Sequence, residues 1–362
     1  MVLTPSIGYP LSFSISVSPT QLSAADITAL LTEHSYLWLR AEGNQLCFSQ
    51  TVPVNKLSDS APVNTSDITL CQSSIRLFGK PIDGSLLYKL CQFIPVSNGL
   101  RVSLLQPHPQ LPVAMLIEPV SKLSAELQQQ LYIFASEQQI ELVYLLQPVC
   151  LSEPGLLVMD MDSTAISIEC IDEIAALAGV GAQVAAVTAR AMNGELDFAA
   201  SLTERVAALR GTPQDVLQQV LASLPLMPGL TELVHYLQQQ HWQVAIASGG
   251  FTYFTDALQK RLALTATFAN VLEIENGVLT GNVIGAIVDA NTKARVVTEL
   301  AEKHGIAQAQ TVAIGDGAND LPMLKTAALG VAFHAKPKVQ AAVSARINQG
   351  SLLQLLYLLD PA

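Results

Sequence analysis

Two carboxylates one residue apart, Asp160 and Asp162, follow directly on the apolar run Leu156-Leu157-Val158-Met159 in the segment Asp160-Met161-Asp162-Ser163-Thr164. In a strand, residues i and i+2 point the same way, so the spacing predicts both carboxylates on one face. Like charges so placed repel unless a cation lies between them or one holds a proton. The pair therefore points to a metal, to proton transfer, or to both. A carboxylate at a strand end can attack an electrophile, and its neighbour can protonate a leaving group and then activate water. Asp316, Asn319 and Asp320, in Gly315-Asp316-Gly317-Ala318-Asn319-Asp320, are oxygen ligands of the kind that suits Mg²⁺. Ser248-Gly249-Gly250 precedes a helical pattern that opens at Thr252, and a hydroxyl with free N–H groups at a helix N-terminus is an anion site. Lys293 supplies a positive charge for the same anion. Each segment alone has an ordinary reading, since Asp and Ser cap helices, Ser-Gly-Gly and Gly-Asp-Gly form turns, and most lysines are solvated. Together, and in this order, they converge on the handling of an anion beside a Mg²⁺ ion.

The elements that must position these residues are legible after a short linker, Leu151-Ser152-Glu153-Pro154-Gly155. Leu156 to Met159, Val244 to Ala247, Thr311 to Ile314 and Leu329 to Phe333 are short and apolar on both faces, as parallel strands under helices are. Helical patterns at Gly229 to Gln240, Thr252 to Leu262 and Lys293 to His304 separate them. This predicts a doubly wound α/β domain over 151–362, with its polar segments beyond the strand ends where such folds bind ligands. The helical insertion at about Ile166 to Leu226 is too long for a crossover and predicts a cap. Within it, Ile174 to Met192 reads as a buried helical hairpin broken at Gly179–Gly181.

Residues 1–150 read as a smaller α+β domain of ferredoxin-like or ACT type. Its expected strands are Arg101 to Leu105, Val113 to Ile117 and Leu142 to Leu146. Its expected helices are Gly84 to Phe93 and Ser124 to Glu137, the second capped by Ser124. Strand-like runs also occur at Tyr36 to Leu39 and Gln45 to Gln50, with no indication whether they form a separate subdomain.

Composition excludes several function classes. The 362 residues are 50% hydrophobic and 14% charged, with a formal net charge of −11. Large cores are expected and global disorder is not. An acidic chain without Lys/Arg clusters is not a general nucleic-acid binder. No window has the Leu/Ile/Phe content of a membrane span, and Met1 to Pro10 lacks the basic and apolar regions of a signal peptide. Five scattered cysteines, Cys47, Cys71, Cys91, Cys150 and Cys170, form neither a disulfide framework nor a zinc site, which suits a reducing cytoplasm. Cys170 is read as a small core residue. None of the six histidines falls in a motif.

The motifs Asp160-Met161-Asp162-Ser163-Thr164, Ser248, Lys293 and Gly315-Asp316-Gly317-Ala318-Asn319-Asp320 resemble, in order, the four motifs of the haloacid-dehalogenase superfamily. The second Asp of the first motif implies phosphoryl transfer, because a halide leaving group needs no proton. Glu169-Cys170-Ile171-Asp172-Glu173, Met192, Asp197-Phe198 to Ser201, Arg205, Gly211, Ile246 to Phe254 and Gly281 to Lys293 are similar to the phosphoserine phosphatase family. The likeness covers about Leu156 to Leu355. It implies Asp160 as nucleophile, Asp162 as acid and base, and Mg²⁺ on Asp160, Asp316 and the Asp162 carbonyl. Ser248, the Gly249 N–H, Lys293 and Asn319 would serve the phosphate, with Gly250 and Asp320 in support. For a phosphorylated amino acid it implies Glu169 on the ammonium and Arg205 on the carboxylate, with Met192 and Phe198 as the cap's apolar wall. The expected partners are a small-molecule substrate and a second copy through the N-terminal region. A phosphatase or phosphotransferase for another small metabolite is the alternative, since it would need the motif carboxylates and Lys293 but not both Glu169 and Arg205.

Overall fold

The computed structural model describes residues 14–50, 73–94 and 99–361; Cys71 and the segment Met1 to Pro10 lie outside them. Contacts divide the chain into two units, Met1–Pro148 and Val149–Ala362. The expected boundary after residue 150 differs by two residues, for a local reason. Strand Val149–Cys150 pairs with Leu359–Asp360, and the Cys150 N–H donates to Gln310 Oε1 at 2.9 Å.

The first unit runs β1 (Ser14–Val17), α1 (Ala24–Glu33), β2 (Leu37–Glu42), β3 (Gln45–Ser49), β4 (Ser74–Phe78), α2 (Gly84–Phe93), β5 (Leu100–Leu105), β6 (Ala114–Pro119), α3 (Ala125–Gln138) and β7 (Glu141–Leu145). Side chains start its helices: Asp83 accepts from Leu86 N–H, and Ser124 from Leu127 N–H. One antiparallel sheet has the order β1-β3-β2-β5-β6-β4-β7. Within it, β4-α2-β5-β6-α3-β7 is a βαββαβ unit with strands paired β5-β6-β4-β7, the ferredoxin-like arrangement. The earlier strands are not a separate subdomain. Leu37 to Leu39 pair with Leu100 to Val102, so β1 to β3 extend the same sheet past β5.

The second unit begins with β8 (Val149–Cys150) and β9 (Leu156–Met159). The insertion carries α4 (Cys170–Leu177), α5 (Gly181–Met192), α6 (Phe198–Ala208) and α7 (Asp215–Ala222). Then come α8 (Leu230–Gln239), β10 (Gln243–Phe251), α9 (Thr252–Leu262), β11 (Ala266–Glu275), β12 (Val278–Ile284) and α10 (Ala290–His304). The unit closes with β13 (Thr311–Gly315), α11 (Leu321–Thr326), β14 (Leu329–Phe333), α12 (Pro337–Gln340), β15 (Ala345–Ile347) and β16 (Leu359–Asp360). The sheet order is β12-β11-β10-β9-β13-β14-β15, parallel except at β12. Every residue of β9 is buried, because helices cover both faces of the sheet. Its register aligns Met159 with Ile246 on one side and Ile314 on the other. Asp160, Ser248 and Asp316 therefore leave the sheet side by side.

Ile166 and Leu226, at the two ends of the insertion, form an antiparallel bridge. Gly179, at φ +75°, breaks the chain between α4 and α5. The hairpin is not buried as expected, however. Along α5 only Val184 is buried; Gly181, Val187, Thr188 and Ala191 are half-buried and the other residues are exposed. The β11–β12 hairpin, absent from the strands read in the sequence, supports the cap. Gly211 N–H donates to Leu279 C=O at 2.8 Å, and Leu279 N–H to Thr212 C=O at 2.9 Å. Gly281 lets α6 lie against β12: it holds φ +83°, and a Cβ there would sit 3.0 Å from Arg210 Cβ. We expect Gly281→Ala to destabilise the protein by about 1–3 kcal/mol through strain at positive φ. A thermal midpoint equal to that of the unaltered protein would show that this approach is not tight.

Candidate active site

The chain leaves β9 at Met159 and turns at once, so Asp160 and Asp162 do not share a strand face as expected. A five-residue turn follows, closed by Ile166 N–H on Met161 C=O at 3.0 Å, with Ser163 at φ +57°. This turn, and not strand pleating, brings both carboxylates to one cavity of about 240 Å³. The cavity is lined by Asp160, Asp162, Glu169, Ile171, Phe198, Leu202, Arg205, Ser248, Gly249, Gly250, Phe251, Asp316, Gly317 and Asn319.

Lys293 and Asp320 lie behind this lining and reach it through Asp160 and Gly317. Lys293, in the first turn of α10, is 1% exposed, with Nζ 2.7 Å from Asp160 Oδ1 and 2.8 Å from Asp320 Oδ1. Asp320 Oδ2 accepts from the Gly317 N–H at 2.9 Å. Burial alone would lower the Lys293 pKa, but Asp160 and Asp320 outweigh it and keep the ammonium charged. Asp160 Oδ1 also accepts from Met161 N–H at 2.8 Å. Among the described residues no donor reaches its Oδ2, the oxygen left for an electrophile.

Negative charge is in excess here. Asp160, Asp316 and Asp320 each bring a carboxylate oxygen within 4.8 Å of the others, against one lysine. Burial, then Glu169, push Asp162 up to about 7. Burial, then Asp320 and Glu169, push Asp316 up to about 6. Burial also raises Glu169, against the Ser163 hydroxyl that donates to it at 2.8 Å. An all-oxygen donor set with surplus negative charge fits a hard divalent cation. Asp320 is committed to Lys293 and Gly317, so Asp160 and Asp316 are the members of this group with oxygens to spare for such a cation.

Glu169 stands at the start of α4 without capping it; its carboxylate turns into the cavity instead. Arg205 is not taken by its neighbour in the chain, because Glu204 pairs with Arg190 at 2.6 Å. Arg205 Nε is buried and has no hydrogen-bond partner among the described residues. Phe198 lies over Gly249, where a Cβ would come within 2.6 Å of its ring. A Cβ on Gly250 would meet Asp162 Oδ2 at 2.8 Å. Both glycines are thus required by close approach.

One expected residue is elsewhere: Met192, at the open end of α5, is 69% exposed and lines no part of the cavity. Ile171, Leu202 and Phe251 supply apolar wall instead. Leu202 had a signal, since Phe198, Leu202 and Arg205 fall at i, i+4 and i+7, one face of a helix. Cys170 contributes its backbone N–H, which donates to Asp162 Oδ1 at 3.1 Å; burial and then Asp162 push its thiol far above the ordinary range.

The haloacid dehalogenase-like hydrolase family matches residues 155–328. The phosphoserine phosphatase of Haemophilus influenzae is 57% identical over 210 residues, 58% of this chain and 67% of that protein. The structure of a probable phosphoserine phosphatase from Vibrio cholerae, unliganded, is similar with a TM-score of 0.67 and 41% identity over 81% of this chain and 88% of that one. A phosphoserine phosphatase structure described as a phospho-aspartyl intermediate analogue is similar with a TM-score of 0.55 and 36% identity, covering 57% of this chain and all of that one (100%).

Carboxyl groups raised in the folded state bind protons that the unfolded chain releases near 3.8. Stability is therefore present below that value and lost as pH rises through about 6 and about 7. In chelator, the unfolding midpoint should fall over this window, and Mg²⁺ at neutral pH should restore it. Asp316→Asn should blunt both responses; a variant that keeps the full Mg²⁺ effect would remove Asp316 from the cation site. By motif, fold and sequence, the chain belongs to the haloacid dehalogenase-like hydrolases, within the family of the phosphoserine phosphatases.

Proposed function

We propose that this chain hydrolyses O-phosphoserine to serine and phosphate through an aspartyl phosphate on Asp160, with Mg²⁺ as its cation, in the cytoplasm. The observation that carries the substrate is the presence of both Glu169 and Arg205 on the cavity that also holds Asp160. One carboxylate and one guanidinium with an unpartnered Nε suit the ammonium and carboxylate of an amino acid. The cavity, about 240 Å³, is smaller than the roughly 300–1,000 Å³ of drug-sized clefts. It suits a small metabolite and argues against a phosphoprotein.

In the first step an Asp160 carboxylate oxygen forms a bond to phosphorus as the bond to the serine oxygen breaks. Asp162 donates its proton to that leaving oxygen. In the second step Asp162 takes a proton from water, whose oxygen bonds to phosphorus and releases Asp160. A carboxyl near pH 7 serves both directions at neutral pH. Lys293, Ser248 and the Gly249 N–H face the charge that develops on the phosphoryl oxygens. Asn319 is assigned to the phosphate or its waters, and Asp320 to holding Lys293. Asp160, Asp316 and the Asp162 carbonyl would hold Mg²⁺, which when bound offsets phosphoryl charge. Phe198, Leu202 and Ile171 exclude water from above. We assign the N-terminal unit to regulation or self-association, since every residue lining the cavity comes from the second unit.

A panel of phosphomonoesters tests the substrate, and hydrolysis of phosphoserine no faster than sugar phosphates would sink it. Asp160→Asn should abolish turnover in a folded protein, and substantial residual rate would dismiss it as nucleophile. Arg205→Ala should lower kcat/KM for phosphoserine by about 10–100-fold through lost charge-assisted hydrogen bonds. p-Nitrophenyl phosphate, which lacks the carboxylate, should lose far less; equal losses would refute the proposed contact.

A further inference from the structure

The ladder between β10 and β11 breaks at the Ser248-Gly249-Gly250 turn. Ala247 pairs with Phe268 and Phe251 with Asn270, so four steps along β10 meet two along β11. The additional residues bulge from the sheet, and a bulge leaves peptide groups without ladder partners. Buried peptide groups must be satisfied in some other way. Two side chains do this. Ser248 Oγ accepts from the Gly250 N–H at 2.9 Å, and Asn270 Nδ2 donates to the Gly249 C=O at 2.8 Å. These bonds grip opposite edges of one peptide plane. The far side of the same amide, Asn270 Oδ1, accepts from the Val288 N–H at 2.8 Å. Val288 precedes Asp289, the N-cap of the helix that carries Lys293.

We propose that Asn270 is a positioning residue for phosphoryl transfer. Its amide fixes the turn carrying Ser248 and Gly249 and ties that turn to the start of the Lys293 helix. Asn270 is 1% exposed and does not line the cavity, so it acts through these groups and touches no reacting atom. The site needs one donor and one acceptor on a short planar group, and only asparagine has both at this length. Aspartate would keep the acceptor for Val288 but set a carboxylate against the Gly249 carbonyl. Serine would reach neither. The proposal rests on the phosphatase reading above.

The test uses the full chain carrying Asn270→Asp and, separately, Asn270→Ser. Each is assayed with phosphoserine and p-nitrophenyl phosphate, with inhibition by inorganic phosphate and by L-serine, and by thermal unfolding. We expect kcat to fall about 10–100-fold for both substrates, the effect of a small misplacement near the reacting centre. Phosphate inhibition should weaken, while inhibition by L-serine, which depends on Glu169 and Arg205, stays near its starting value. A folded variant with unchanged kcat overturns the proposal. So does parallel loss of phosphate and serine inhibition, or failure of both variants to fold, because either would make Asn270 a general structural residue. Failure of the phosphoserine reading shows separately, as an unaltered protein that cleaves the aryl ester but not phosphoserine. The aryl ester and phosphate inhibition would still decide the role of Asn270.

Discussion

A lysine ammonium, nearly inaccessible to water, lies between the carboxylates of Asp160 and Asp320, and the rest of the site depends on it. Burying a charge is unfavourable unless its partners are close and complete. Here the two partners arrive from the end of β9 and the turn after β13, and the lysine from the first turn of α10. Without Lys293 those ends would bring aspartates together uncompensated. With it, β9 and β13 can place Asp160 and Asp316 side by side. A single positive charge still does not balance the carboxylates around it. That remainder makes a divalent cation a natural occupant, and it adds to burial, the larger cause, in making the Asp162 and Asp316 carboxyls hold protons to unusually high pH. The arrangement opposes stability at neutral pH, as expected of groups proposed to serve as nucleophile and acid.

The second unit divides its labour between sheet and cap. In the proposed reaction, residues at the strand ends would handle an anion and a proton, as they would for many phosphate esters. Glu169, at the start of α4, and Arg205, on α6, line the same cavity and are the groups proposed to discriminate. The two layers meet where Phe198 rests on Gly249, whose missing Cβ leaves room for the ring. The β11–β12 hairpin holds the far end of α6 through backbone hydrogen bonds, which keeps Arg205 on a supported helix. The position of Arg205 is thus set partly by the sheet.

Much of this was legible in the chain. Parallel strands buried on both faces have no polar positions, so Leu156 to Met159 and Leu329 to Phe333 stand out as unbroken apolar runs. Helix starts carry their own side-chain caps, as at Ser124. The cap limits were readable because Ile166 and Leu226 bound a stretch with a different periodicity. Where periodicity was weak, the reading went wrong. In α5 the apolar alanines suggested burial, yet alanine is equally at home on an exposed helix, and Met192 went to solvent. The β11–β12 hairpin mixes buried and exposed positions irregularly, which hides a strand pattern.

The sequence by itself determined the reaction chemistry, because carboxylates, a lysine and glycines at strand ends are identities, and identities are local. It also determined which residue types could face an amino acid. Tertiary structure alone decided how they meet. Asp160 and Asp162 share a cavity because the chain turns at Met159, not because a strand alternates. Arg205 lines the cavity from the same face of α6 as Phe198 and Leu202, while its neighbour Glu204 pairs with Arg190. Asn270, with no motif around it, holds a turn 21 residues away. Each of these depends on which backbone groups a fold leaves unpaired and which charges are already spoken for, and neither is written at any one position in the chain.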